Sequence, residues 1–231
     1  DGDGKVYIIS QGESVAYMDE KEYLAWEKQV FWMPEMKIDW CELGSNKELL
    51  EEIDKNYDME KLKRKVPRFS EDDKINEAYY NAIKTLDTTG FLPDGRYCFF
   101  IEQDGRTDVE RFQEQRAQHY SPERVAVADV DGDGTAELLF FIEGTCVRDS
   151  AEYVYRYSEE KNAFELEFEY SAGCNYYQNG VIKTKPLYSG FIYQDDFWPY
   201  SVFQYDENKN ELVLTASVEE IPKAPENPDK F

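Results

Sequence analysis

Asp129-Val130-Asp131-Gly132-Asp133-Gly134-Thr135-Ala136-Glu137 sets a carboxylate at every second position, with one wider step before the last. A hard cation such as Ca²⁺ takes about 6–8 oxygen ligands. Asp129, Asp131 and Asp133 can supply side-chain oxygens as a loop curls, Thr135 its backbone carbonyl, and Glu137 can close the cage. Gly134 follows the third Asp, where a sharp turn leaves no room for a side chain. Without a cation these carboxylates would repel one another within a few ångströms. The spacing therefore points to a metal loop holding Ca²⁺. The plainer alternative is an acidic hairpin turn.

The flanks decide which kind of loop this is. An EF-hand needs helices on both sides and a Glu at its twelfth position. Counting from Asp129, that position is Phe140, inside the apolar run Leu138-Leu139-Phe140-Phe141-Ile142. Upstream lies Val125-Ala126-Val127-Ala128. Both runs are short, apolar and bounded by turn residues, so they read as buried strands. The segment resembles the strand-loop-strand calcium site of FG-GAP and related propeller-type repeats, with pattern DxDxDGxx(D/E), matched at Asp129, Asp131, Asp133, Gly134 and Glu137. The wider run, a DxDGDGxxEL loop followed by tyrosine-rich strands, also resembles a group of secreted proteins and lipoproteins of Gram-positive gut bacteria. That resemblance implies a secreted or cell-surface location rather than an activity.

Away from the loop, composition sets limits. A chain of 231 residues with 41 % hydrophobic and 16 % aromatic residues can build a sizeable core. Its 49 acidic and 26 basic residues give a net charge of −23. Nucleic acid and anionic membrane surfaces should repel it, whereas cations and basic partners should be attracted. No apolar run is long enough to suggest a membrane span. A chain opening at Asp1, with neither Met nor leader, reads as a processed one. Residues 1–4 repeat the DGDG of the loop, with Tyr7 where Glu137 would stand, and read as a second loop lacking its closing ligand or as a polar lead-in. Cys41, Cys98, Cys146 and Cys174 carry no CxxC spacing, which argues against a zinc knuckle. They read either as two disulfides, preferably Cys146–Cys174 and Cys41–Cys98, or as buried thiols.

Periodicity divides the chain. Val6 to Ile9 reads as a short strand. Asp19 and Glu22 form a capping box for a helix that Pro34 stops, with Met18 and Tyr23 as its staple. Ser45 and Glu48 start a second helix, which continues or breaks near Asp58. Ser70 caps a third, whose stripe is Ile75, Ala78, Tyr79, Ala82, Ile83 and Leu86, with Gly90 past its end. Thr107 and Glu110 open a fourth, reaching about His119. Beyond the acidic loop the period becomes two: Tyr153, Tyr155 and Tyr157, then Phe164, Leu166, Phe168 and Tyr170. Asn179-Gly180 signals a two-residue hairpin, and residues 201–205 and 211–218 form another. The expectation is an α+β fold with a helical N-terminal half, residues 1–120, packed on an antiparallel β-meander, residues 121–221. A Pro-rich tail, residues 222–231, follows. One complete loop and few strands argue against a full propeller.

Catalytic chemistry has little to work with. The only histidine, His119, reads as a helix-end residue favouring the dipole. Neither GxGxxG nor GxxxxGK occurs. The cluster Phe197-Trp198-Pro199-Tyr200 offers aromatic rings on a loop, so Trp198 and Tyr200 are candidates for ligand contact, although packing against the sheet end is the commoner use of such rings. The sequence thus favours a secreted or cell-surface binding or adhesion module with a structural calcium site and an extracellular ligand, a glycan or a protein. A carboxylate-dependent extracellular hydrolase acting on polysaccharide is the alternative, since two suitably placed carboxyl groups suffice.

Overall fold

The computed structural model describes residues 5–43, 57–97, 124–142, 150–171, 173–184, 199–206, 208–209 and 211–222. The strands are β1 Lys5–Gln11, β2 Ser14–Met18, β3 Cys41–Glu42, β4 Arg124–Ala128, β5 Glu137–Ile142, β6 Ala151–Ser158, β7 Ala163–Ser171, β8 Cys174–Tyr176, β9 Val181–Thr184, β10 Tyr200–Asp206 and β11 Glu211–Pro222. The helices among the described residues are α1 Glu20–Val30, α2 Met59–Lys65 and α3 Asp73–Thr89. The protein is therefore mostly β, built on two antiparallel sheets, and the expected helical half does not form. The reason is long-range pairing. β1 lies antiparallel to β11, with Ile9 opposite Val218, so the N-terminal strands complete a sheet begun near the C-terminus. The expected helices after Ser45 and Thr107 fall outside the described residues.

By contacts the chain divides into two compact units. One comprises Asp1–Met36, Val130–Asp133 and Cys174–Phe231; the other Lys37–Asp129 and Gly134–Gly173. The first carries a six-stranded sheet in the order β2-β1-β11-β10-β9-β8. β1 and β2 join through a two-residue turn whose Gly12 sits at φ 59, the position where a II′ turn requires glycine. β2 was not legible in the sequence: it is an exposed edge strand with no buried face to impose alternation. The capping box of α1 forms as expected. Glu22 N–H donates to Asp19 Oδ1 at 2.9 Å, and Asp19 N–H to Glu22 Oε2 at 3.0 Å. Tyr23 is the buried residue of α1; its ring stacks on Tyr7 at 4.0 Å, within a core that includes Ile9, Val181, Tyr200, Val202 and Val218.

The second unit is a meander in chain order, β3-β4-β5-β6-β7, with α3 packed on it. Tyr79, Ile83 and Leu86 of α3 join Leu138, Phe140, Tyr153 and Tyr155 in one core. Each such side chain contributes about 1.5–3 kcal/mol by leaving water. The cap of α3 is Asp72 rather than Ser70, because Asn76 Oδ1 accepts the backbone N–H groups of Phe69 and Ser70 and holds them out of the helix. Gly90 closes α3 in the left-handed region at φ 77. The alternation of β7 also breaks. The register with β6 shifts between Val154 and Tyr155, so Leu166 faces solvent while Glu167 turns in to pair with Arg156 at 2.8 Å.

Candidate metal centre

The acidic stretch is the connection between β4 and β5, and Ala128 pairs with Glu137 across its base. Two glycines shape it: Gly132 at φ 81 and Gly134 at φ 90 take conformations that side chains rarely tolerate. The carboxylates also organise their own backbone. Asp133 N–H donates to Asp131 Oδ1 at 3.0 Å, and Gly134 N–H donates to Asp129 Oδ2 at 3.0 Å. These are the Asx-type bonds by which Asp favours turns over strands.

The result is a group of three. Carboxylate oxygens of Asp129, Asp131 and Glu137 all lie within 4.8 Å of one another. Two oxygens on opposite sides of one Ca²⁺, each about 2.3–2.6 Å from it, stand about 5 Å apart. The spacing therefore suits a single cation, and the group can hold a metal ion. Burial adds weight. Asp131 is 4 % exposed and Glu137 is fully buried, and carboxylates removed from water need a compensating charge or donor. Asp133 and Thr135, the other expected ligands, are exposed, and the Asp133 carboxylate is not in the group of three. It sits at the tip between the two left-handed glycines, where the chain reverses.

Three further residues hold the loop, and none was singled out for this in the sequence. Val130 is fully buried, an apolar anchor between two acids. The Tyr79 hydroxyl of α3 donates to the Ala136 carbonyl at 2.6 Å. Burial, and then the negative charge of Glu137, push this phenol well above its ordinary range, so it stays a donor at any physiological pH. Its place on the α3 stripe was legible, but its reach to the loop was not. Tyr79→Phe should cost about 1 kcal/mol, the usual net worth of one such bond, read as a lower urea midpoint at unchanged m-value.

The third is Gly180. The β8–β9 hairpin has a three-residue loop, Gln178-Asn179-Gly180, rather than the expected two-residue turn. Gly180 N–H donates to the Tyr177 carbonyl at 3.0 Å and Tyr177 N–H to that of Val181 at 2.9 Å. Gly180 takes φ 71, as in a type I turn followed by a bulge glycine. Its α-carbon lies against the loop tip: a β-carbon there would stand 2.0 Å from the Asp131 carbonyl oxygen.

The expected ligand-contact residues fare differently. Trp198 lies outside the described residues. Tyr200 is not on an exposed loop; it opens β10 and is only 5 % exposed. Its hydroxyl is 3.0 Å from that of Tyr23, and Lys183 Nζ sits 3.9 Å over its ring. Packing won because β10 is an inner strand of the six-stranded sheet. Cys41 carries a free thiol, pushed above its ordinary range chiefly by burial. Cys174 is buried on β8. Cys98, Cys146 and His119 lie outside the described residues, and so does the expected Cys146–Cys174 bridge; the free Cys41 thiol does not fit the expected Cys41–Cys98 bridge. No helix among the described residues is long and apolar enough to cross a membrane. No protein-family model, curated protein or solved structure matches this chain.

Proposed function

We propose that the protein is a secreted or cell-surface binding module in which the β4–β5 loop holds a structural Ca²⁺. The observation that carries this reading is the convergence of Asp129, Asp131 and Glu137 within 4.8 Å, with Glu137 fully buried at the start of a core strand. An all-oxygen, all-carboxylate donor set suits a hard cation and disfavours Zn²⁺ or Cu²⁺, which take imidazole or thiolate. The Asp133 side chain and the Thr135 carbonyl complete the set in this reading. A site so supplied fixes a turn. A catalytic metal needs an open position for water or substrate, and burial of Asp131 and Glu137 supports the structural role. The resemblance of the loop to FG-GAP-type sites and the −23 charge agree with an extracellular setting and a hard-cation ligand.

Dialysed protein should take up one equivalent of Ca²⁺, with a Kd of about 10⁻⁴–10⁻³ M, the range of extracellular modules. A screen against polysaccharides and peptides should show no turnover with or without Ca²⁺. Hydrolysis that vanishes in a single Asp or Glu variant which still folds contradicts the binding-module reading.

A further inference from the structure

We propose that a groove on the six-stranded sheet is a binding site for a neutral saccharide; this deepens the binding-module reading and rests on it. The groove has a volume of about 460 Å³, inside the range of about 300–1,000 Å³ usual for small-molecule sites. Its walls come from separate elements: Trp26 and Gln29 from α1, Trp32 just beyond that helix, Gln11 from β1, and Gln204 from β10. Buried Val181, Val202 and Ala216 form the floor.

Three features fix the ligand class. The first is charge. Among the described residues, none that lines the groove is ionisable, in a chain that is 32 % charged. A charged ligand would leave water and find no counter-charge there, so the ligand is neutral. The second is the amide lining. Gln11, Gln29 and Gln204 each offer two N–H donors and a carbonyl acceptor, matching hydroxyl groups, which both donate and accept. An apolar peptide would bury these amides without partners. The third is the indoles. Trp32 is 67 % exposed, a large flat apolar surface that contributes little to the core. The C–H face of a sugar ring covers such a surface while its rim hydroxyls meet amides.

The groove is also held in shape before any ligand arrives. Trp26 stacks with Tyr23 at 6.3 Å, and Tyr23 is itself locked on Tyr7. Asn179 Nδ2 donates to the Val30 carbonyl at 3.1 Å, tying the end of α1 to the hairpin loop at the groove's edge. Less ordering on binding leaves more of the contact energy as affinity.

The test titrates the full chain, in Ca²⁺, with neutral tetrasaccharides of α-glucan, β-glucan, mannan and galactan. A uronic-acid tetrasaccharide and an apolar hexapeptide serve as comparison probes. Tryptophan fluorescence and calorimetry read binding. We expect saturable 1:1 binding of at least one neutral tetrasaccharide. Trp32→Ala should weaken it at least about tenfold, as an aromatic anchor does, with the melting temperature unchanged because the ring is exposed. Gln204→Ala, also at an exposed position, should weaken it several-fold. The proposal is overturned if no neutral tetrasaccharide binds, if the charged sugar or the peptide binds better, or if both variants bind as wild type does. The Ca²⁺ dependence of melting, read on the same samples, keeps the two readings apart: absent sugar binding with an intact Ca²⁺ response rejects the groove alone.

Discussion

Gly180→Ala should destabilise the protein by about 3 kcal/mol or more and blunt its response to Ca²⁺. Two costs combine. A non-glycine residue in the left-handed region costs about 1–2 kcal/mol. The larger cost is contact, because the added β-carbon would stand 2.0 Å from the Asp131 carbonyl oxygen and 2.8 Å from its carbonyl carbon. Both are backbone atoms, so no side chain can swing aside, and relief requires moving the loop tip or the hairpin. Asp131 is one of the three acids of the candidate metal centre, so the shift should loosen the proposed ligand set as well as the fold. Gly95→Ala is the control. Gly95 has φ 83 with nothing within 4 Å of an added β-carbon, so it isolates the conformational cost at about 1–2 kcal/mol. Urea unfolding of the two variants separates the effects. Equal losses would mean that the Gly180–Asp131 contact does not exist in solution.

Phe140→Glu should leave the protein largely unfolded, and it distinguishes the proposed strand-loop-strand calcium site from an EF-hand. Phe140 stands where an EF-hand would carry its closing glutamate, so in a helix-loop-helix site the substitution would add a ligand and tighten Ca²⁺ binding. Here Phe140 is fully buried in the middle of β5, opposite Val125 and Tyr153, with the Tyr155 ring 6.1 Å away. Removing a buried phenylalanine alone costs about 3–5 kcal/mol, and an unpaired carboxylate in its place adds more. Total stability of a domain is about 5–15 kcal/mol, so little folded protein should remain. Circular dichroism at high Ca²⁺ checks this. A folded variant with tightened Ca²⁺ affinity would mean the flanks are not strands.

What the sequence disclosed was local. The α1 capping box, the strands on either side of the acidic loop and the β6–β7 hairpin are set by residues a few positions apart, and all form. The pairing of β1 with β11 joins residues some two hundred positions apart, and no periodicity announces it. That one pairing carries β1 and β2 into a sheet begun near the C-terminus, while α1, α2 and α3 still form. The bulge in β7 and the three-residue β8–β9 loop each depend on one residue of register, which alternation of apolar and polar residues cannot resolve. At the site, the spacing of acids identified Asp129, Asp131 and Glu137, because a curled loop brings near neighbours together. The supports, Tyr79 and Gly180, arrive from distant segments and look in sequence like a core tyrosine and an ordinary turn glycine. Tyr200 misled for the converse reason. Its neighbours Trp198 and Pro199 suggested a loop, whereas Tyr200 begins an inner strand.

The most direct test of the metal centre is thermal unfolding of wild type and Asp131→Asn, each in excess Ca²⁺ and in excess chelator. Asparagine keeps the size of the side chain and its acceptor for Asp133 N–H but removes the charge. At a hundredfold excess over Kd, Ca²⁺ should stabilise wild type by about 2.7 kcal/mol. For a chain of this size that is a rise of about 5–10 °C in Tm. Asp131→Asn should lose most of that difference. Wild type melting at the same temperature in Ca²⁺ and in chelator would contradict the account, and so would a variant that keeps the full shift.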